Sequence, residues 1–149
     1  MFEGVGLALA MMLPAETTCL AQNIYFEARN QSYVGKIATA HVVFNRMGSA
    51  DYPNTVCDVV KQAKYDKNGR IIKHKCQFSW YCDGLSDKPK EEAAWKEAVK
   101  AANDAATLWE NGYDVTDGAD HYHSKNVKPK WSRNMTLTTQ IDDHLFYKD

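Results

Sequence analysis

The sequence predicts an α+β domain, mainly helical, forming one unit over residues 1–149 with a small β element at its C-terminal end. Two features predict this class. Apolar residues recur at helical spacing in Tyr33–Arg46 and in Lys88–Asn111, the longest such run. After Asp117 the chain changes to short strand-like segments, Leu137–Ile141 and His144–Tyr147, with Asp142-Asp143 as the turn between them. No internal repeat, low-complexity tract or linker divides the chain. With 44% hydrophobic and 25% charged residues, the composition is that of an ordinary globular protein able to build a core. The formal net charge of −1 leaves no footprint for nucleic acid, which is not expected as a partner. The short basic run Lys125, Lys128, Lys130 and Arg133 reads as a solvated face.

Each element has its own signals. Gly4–Leu13 is apolar but too short to span a bilayer, and Glu3 stands where a signal peptide carries basic residues. It reads as a first helix stopped by Pro14, so neither a stable membrane span nor a clear signal peptide is expected. Cys19–Arg29 reads as a short amphipathic helix, with Thr17 or Thr18 as N-cap and Asn30 as stop. In Tyr33–Arg46 the residues Val34, Ile37, Ala38, His41, Val42 and Asn45 share a face. Gly48–Pro53 is a break, after which Asn54 or Thr55 can cap a third helix over Val56–Ala63. Lys64–Lys75 is polar and holds Asn68-Gly69, which predicts an exposed loop or a β-hairpin. In Lys88–Asn111 the apolar stripe runs through Ala94, Trp95, Ala98, Val99, Ala102, Ala105, Ala106 and Trp109, and Gly112 suits the C′ position.

The four cysteines, Cys19, Cys57, Cys76 and Cys82, permit two disulfides in any of three connectivities. The spacing of Cys76 and Cys82 is wider than that of structural zinc pairs, which favours disulfides and a destination outside the reducing cytosol. Cys19 with Cys57 and Cys76 with Cys82 is taken as a working pairing only.

One residue stands out chemically. On a helix wheel Leu20, Ile24 and Glu27 fall in one sector, while Arg29 points away. A half-buried carboxyl without a bound cation keeps its proton to higher pH, as a general acid must. The competing structural reading gives Glu27 a core-edge partner such as Arg46. His41 reads as a hydrogen-bonded core histidine, whereas Asn45 either braces a loop or touches substrate. His121-x-His123 on a strand could share one ion, but no third ligand stands at a diagnostic spacing, and neither a metal nor another cofactor is expected. Phe78, Trp80, Tyr122 and Trp131, interleaved with Gln77, Ser79, His123 and Ser132, have the composition of a carbohydrate site.

Seven segments in order, Tyr25–Arg29, Ala40–Arg46, Pro53–Cys57, Cys76–Ser79, Gly118–His123, Trp131-Ser132 and His144–Tyr147, together resemble the SleB/CwlJ cell-wall hydrolases, over about residues 18 to 148. The resemblance implies a lysozyme-like fold and cleavage of peptidoglycan between N-acetylmuramic acid and N-acetylglucosamine, in the manner of a lytic transglycosylase. It places the catalytic glutamate on Glu27 and lines the glycan groove with Gln77, Phe78, Ser79, Tyr122, His123 and Trp131; Asn45 joins these as a candidate substrate contact. Asn30 stands where the family usually has glycine, and Lys36 where it has glutamine, which bears on local loop geometry. The expectation is a monomer acting on the cell wall, in periplasm or outside the cell. A minimal phage-type lysin made in the cytoplasm and released at lysis fits it better than a spore-anchored enzyme. Two other classes are carried behind it: a zinc amidase using His121 and His123, and a non-catalytic glycan-binding module.

Overall fold

The computed structural model describes residues 14–149. The expected helix at Gly4–Leu13 lies outside the described residues. Helix α1, Pro14–Ala28, begins earlier than the sequence predicts, with Pro14 in the first turn, where its missing N–H costs nothing. Thr18 is therefore no cap: its hydroxyl donates to the Pro14 carbonyl one turn back. Helix α2, Tyr33–Met47, is capped by Ser32, whose hydroxyl accepts from the Gly35 N–H. Helix α3 spans Val56–Val60, capped by Thr55 as expected but shorter than predicted. Helix α4 is Glu92–Glu110, and Gly112 adopts φ +84° just beyond it.

The one-faced reading of α2 is corrected by its surroundings. Val34 is exposed, while Gly35 to Phe44 and Arg46 are buried on every side, so α2 is the central helix. Helix α1 and α4 pack on it and on each other. Lys36 survives burial because its ammonium donates to the Gln31 carbonyl (2.6 Å) and pairs with Glu97 (3.3 Å). The core gathers Leu20, Ile24 and Tyr25 from α1, Val43 and Phe44 from α2, Val59 and Val60 from α3, and Ala98, Ala102, Ala105 and Trp109 from α4. Small residues on α4 let the helices approach closely. Trp95 and Trp109 join this core, as the apolar stripe predicts.

Two small sheets attach to the helices. Strands β1, Ala63–Tyr65, and β2, Ile71–Cys76, form an antiparallel hairpin around the Asn68-Gly69 turn. Strands β3, His121–Ser124, β4, Thr136–Ile141, and β5, His144–Lys148, form an antiparallel sheet of order β3-β5-β4. Its β4–β5 turn sits on the start of α2: Asp142 accepts from the Ser32 amide (2.9 Å) and hydroxyl, and a Cβ on Gly35 would lie 2.8 Å from the Asp142 carboxylate. Only glycine fits there.

Both working disulfides are present, Cys19–Cys57 between α1 and α3 and Cys76–Cys82 at the hairpin root. The sequence separations are 38 and 6 residues, so the first restricts the unfolded chain more. Replacing Cys19 and Cys57 by alanine should cost about 4 kcal/mol by the chain-entropy relation, against about 2 kcal/mol for Cys76 and Cys82. Urea denaturation of the two double variants checks the order; a larger loss from the hairpin pair would refute it.

Candidate active site

Glu27 sits in the last turn of α1, beside β3 of the C-terminal sheet. The Tyr122 hydroxyl donates to Glu27 Oε1 at 2.5 Å, across 95 residues of sequence. Burial raises the Glu27 pKa above the ordinary carboxylate value, and this outweighs the opposing pull of the Tyr122 hydrogen bond and the Arg46 charge. The negative end of the α1 dipole works in the same direction as burial. Burial and the neighbouring Glu27 push the Tyr122 phenol far up, so it stays neutral and remains a donor. Glu27 thus has the raised pKa that its place in an apolar sector predicts.

Arg46 serves this pair without an ion pair or hydrogen bond to Glu27 among the described residues. It is 5% exposed, its guanidinium lies 4.9 Å from the Tyr52 ring centre and 5.1 Å from that of Phe78, and its Nε donates to the Asp120 carbonyl (2.8 Å). Its Nη1 is buried without an acceptor among the described residues. The charge nonetheless reaches both Glu27 and Tyr122, lowering the pKa of each. Arg46 is thus a fixed cation held by aromatic faces near the carboxyl, not the bound partner of the structural reading.

Strand alternation divides β3 into two faces. Tyr122 faces the helices and packs on Phe146 and His144 of β5 (5.5 and 5.0 Å). His121 and His123 lie on the other face, as expected, with Trp131 against both (5.1 and 5.5 Å) and Tyr147 stacked on His123 (5.2 Å). His121 Nδ1 pairs with Asp120 (2.9 Å), and the two nitrogens of His123 meet the Ser124 carbonyl (2.7 Å) and the Tyr147 hydroxyl (2.9 Å). Among the described residues no group of three His, Cys, Asp or Glu side chains could hold a metal.

The other candidates separate. Gln77 and Ser79 are exposed on either side of Phe78, which is 3% exposed and packs in the core. Phe78 therefore supports Arg46 from below and offers no open ring to a sugar, which corrects its expected place in the groove lining. Trp80 is likewise buried, stacked on Phe26 (4.9 Å) and donating to Asn23 (2.8 Å). Of the two roles open to Asn45, the structure shows the brace: its amide nitrogen meets Asp114 (2.8 Å) and the Ala119 carbonyl (2.9 Å), holding the loop that leads into β3. His41 is the core histidine expected, set between the Ala105 carbonyl and the Val115 amide, with its pKa lowered by burial. Sequence reasoning missed Tyr52, Tyr147 and the supporting role of Arg46. The Asn45-Arg46 pair at the end of a buried helix was the available signal.

These features define a mainly helical, lysozyme-like α+β domain with a desolvated carboxyl at a helix end. The cell wall hydrolase model matches residues 30–147, and the chain belongs to that family. The match begins three residues after Glu27, so the case for Glu27 rests on its geometry. The spore cortex-lytic enzymes of Bacillus cereus and Bacillus subtilis are 28% identical over 130 residues and 30% over 129, covering 87% and 85% of this chain. The chain spans 42% and 35% of their lengths. The catalytic domain of SleB from Bacillus anthracis, described as a germination-specific lytic transglycosylase, is similar with TM-score 0.69 and 28% identity, over 91% of this chain and 96% of that one. The catalytic domain of Bacillus cereus SleB gives TM-score 0.64 at 29% identity, covering 89% of each chain.

A raised folded-state pKa has a stability consequence. The protonated form of Glu27 is favoured by folding, so the stability it contributes is full below the unfolded-state pKa and is lost as pH rises through the raised folded value. Glu27→Gln, which cannot ionise, should melt above the wild type by a margin that grows as pH rises from the ordinary carboxylate range, about pH 4, through the raised folded value. Thermal melts across that range check this, and a margin independent of pH would contradict it.

Proposed function

We propose that this chain cleaves the glycosidic bond between N-acetylmuramic acid and N-acetylglucosamine in peptidoglycan, as a lytic transglycosylase acting as a monomer on the cell wall. The observation that carries the reading is the Glu27 carboxyl, desolvated and held at Oε1 by a neutral tyrosine. The names of the similar SleB catalytic domain and cortex-lytic enzymes support it.

One carboxyl group works twice. With Oε1 accepting from Tyr122, Oε2 carries the transferable proton. Glu27 donates it to the glycosidic oxygen as the bond to the muramic anomeric carbon breaks, and N-acetylglucosamine leaves with a new hydroxyl. Positive charge at the anomeric carbon is met by the substrate's own acetamido oxygen. The Glu27 carboxylate left behind is stabilised by the Tyr122 hydroxyl and the Arg46 charge. It then takes the proton of the muramic C6 hydroxyl as that oxygen closes on the anomeric carbon, giving a 1,6-anhydro end and restoring the acid.

The charge acting on Glu27 is a cation, Arg46, and no carboxylate figures among the groups that shift it. Of the loop carboxylates that could assist a hydrolytic route, Asp51 is exposed, and Asp83 lines a separate cavity with Tyr25, Phe26 and Arg29. The partners of the His121 and His123 nitrogens weigh against the zinc amidase reading.

Digestion of purified sacculi followed by mass spectrometry tests the proposal. Fragments should end in 1,6-anhydro-muramic acid, one water lighter than hydrolysed ends, and chelator should leave the rate unchanged. Reducing muramic ends would mean that water attacks. Glu27→Gln should fold and lose about 10²-fold or more of the rate, as a lost general acid does. More than roughly a tenth of the activity remaining would remove Glu27 from the role.

A further inference from the structure

In strands β1 and β2 of the hairpin, only Ala63 and Cys76 are even partly buried. Every residue of β2 from Ile71 to Lys75 is exposed, on both faces of the ribbon. Such a ribbon is marginal alone, yet it is anchored by the Cys76–Cys82 bridge and by the Gln77 amide donating to the Gln62 carbonyl (3.0 Å). It also concentrates charge: Lys61, Lys64, Lys67, Arg70, Lys73 and Lys75 lie within residues 61–75, against Asp66 alone. Among the described residues none of these six cations pairs with a carboxylate within 4.0 Å.

The hairpin is irregular at its root. Ala63 pairs with Cys76 and Tyr65 with Ile71, so β2 carries extra residues between these pairs. His74 adopts φ +66° there, a conformation that histidine seldom takes and that the surroundings must hold in place. This opens a cleft of about 330 Å³ lined by Gln62, Ala63, Lys64, His74, Lys75, Cys76 and Gln77. Gln62 Oε1 is buried without a donor among the described residues. The cleft thus offers two cations and an acceptor that lacks an N–H, beside the Gln77–Ser79 segment whose Phe78 lies under Arg46. A ligand with carboxylates and amide N–H groups matches both needs, and a phosphate or lipid headgroup without N–H donors matches only the first.

We propose that this cleft binds the acidic stem peptide borne by the muramic acid of the strand being cut. Carboxylates of the peptide meet Lys64 and Lys75, and a peptide N–H reaches Gln62. The proposal rests on the glycan-cleaving reading above. The hairpin makes the enzyme prefer strands that still carry their peptides.

The test uses the full chain on soluble glycan strands with stem peptides and on the same strands stripped by an amidase. The wild type should show an apparent KM lower on peptide-bearing strands. The double variant Lys64→Gln/Lys75→Gln should raise that KM about fivefold, with kcat and all parameters on stripped strands unchanged, and Lys64→Arg/Lys75→Arg should restore the preference. Equal changes on both substrates, or none on either, would overturn the proposal. A binding arm keeps it separate from the reaction: Glu27→Gln should sediment more strongly with intact sacculi than with stripped sacculi, and the two lysine changes should abolish the difference. If the wild type cuts neither strand, the enzymatic reading fails while this arm still reports on the hairpin. Binding to anionic lipid vesicles that is lost in the double variant, without discrimination between the two sacculi, would reassign the hairpin to membranes and sink the proposal.

Discussion

The contact between the Tyr122 hydroxyl and the Glu27 carboxyl joins the two halves of this protein. It brings the end of α1 against β3, and the desolvation that this creates sets the acidity of the carboxyl. Tyr122 can make the contact because Phe146 and His144 hold its ring from the next strand, and because Asn45 fastens the loop entering β3. Arg46 sets the balance. A cation paired directly with Glu27 would leave it ionised and unable to donate; a cation held between Tyr52 and Phe78 moderates the burial penalty without cancelling it. The arrangement suits a group that must be an acid in one half of a reaction and a base in the other.

Much of this was legible in the sequence, for local reasons. Helical periodicity located α1, α2 and α4, Thr55 marked α3, and the Asn68-Gly69 turn marked the hairpin. Glu27 was legible because a carboxyl in an apolar sector is a local contradiction. What was not legible depended on neighbours. Helix α2 lacks a polar face because α1 and α4 enclose it, and sequence spacing alone does not report that enclosure. Phe78 and Trp80 looked like loop aromatics, yet the short turn of Ser79–Cys82 folds them into the core. Arg46 was visible only as a possible partner of Glu27, since its aromatic clamp comes from Tyr52 and Phe78, both later in the chain and on different segments.

The sheet shows how alternation assigns chemistry. Tyr122 and its neighbours His121 and His123 are adjacent in sequence but serve opposite faces. One face completes the carboxyl's surroundings. The other is an aromatic wall of Trp131, Tyr147 and two imidazoles whose nitrogens face protein groups. His121 and His123 thus share a face, as the strand spacing predicts, and pack against Trp131.

The docking of the β4–β5 turn onto the start of α2 also bears on how the protein is made. Asp142 reaches Ser32 across 110 residues, and β5 lies between β3 and β4. Strand β3 has no sheet to join until residues 144–148 are in place, so the surroundings of Glu27 depend on a strand far along the chain from it. Until β5 has paired with β3, the chain can have its helices and its glutamate but no tyrosine fixed beside it. The acidity of Glu27 is thus a property of the assembled sheet as much as of the helix that carries it.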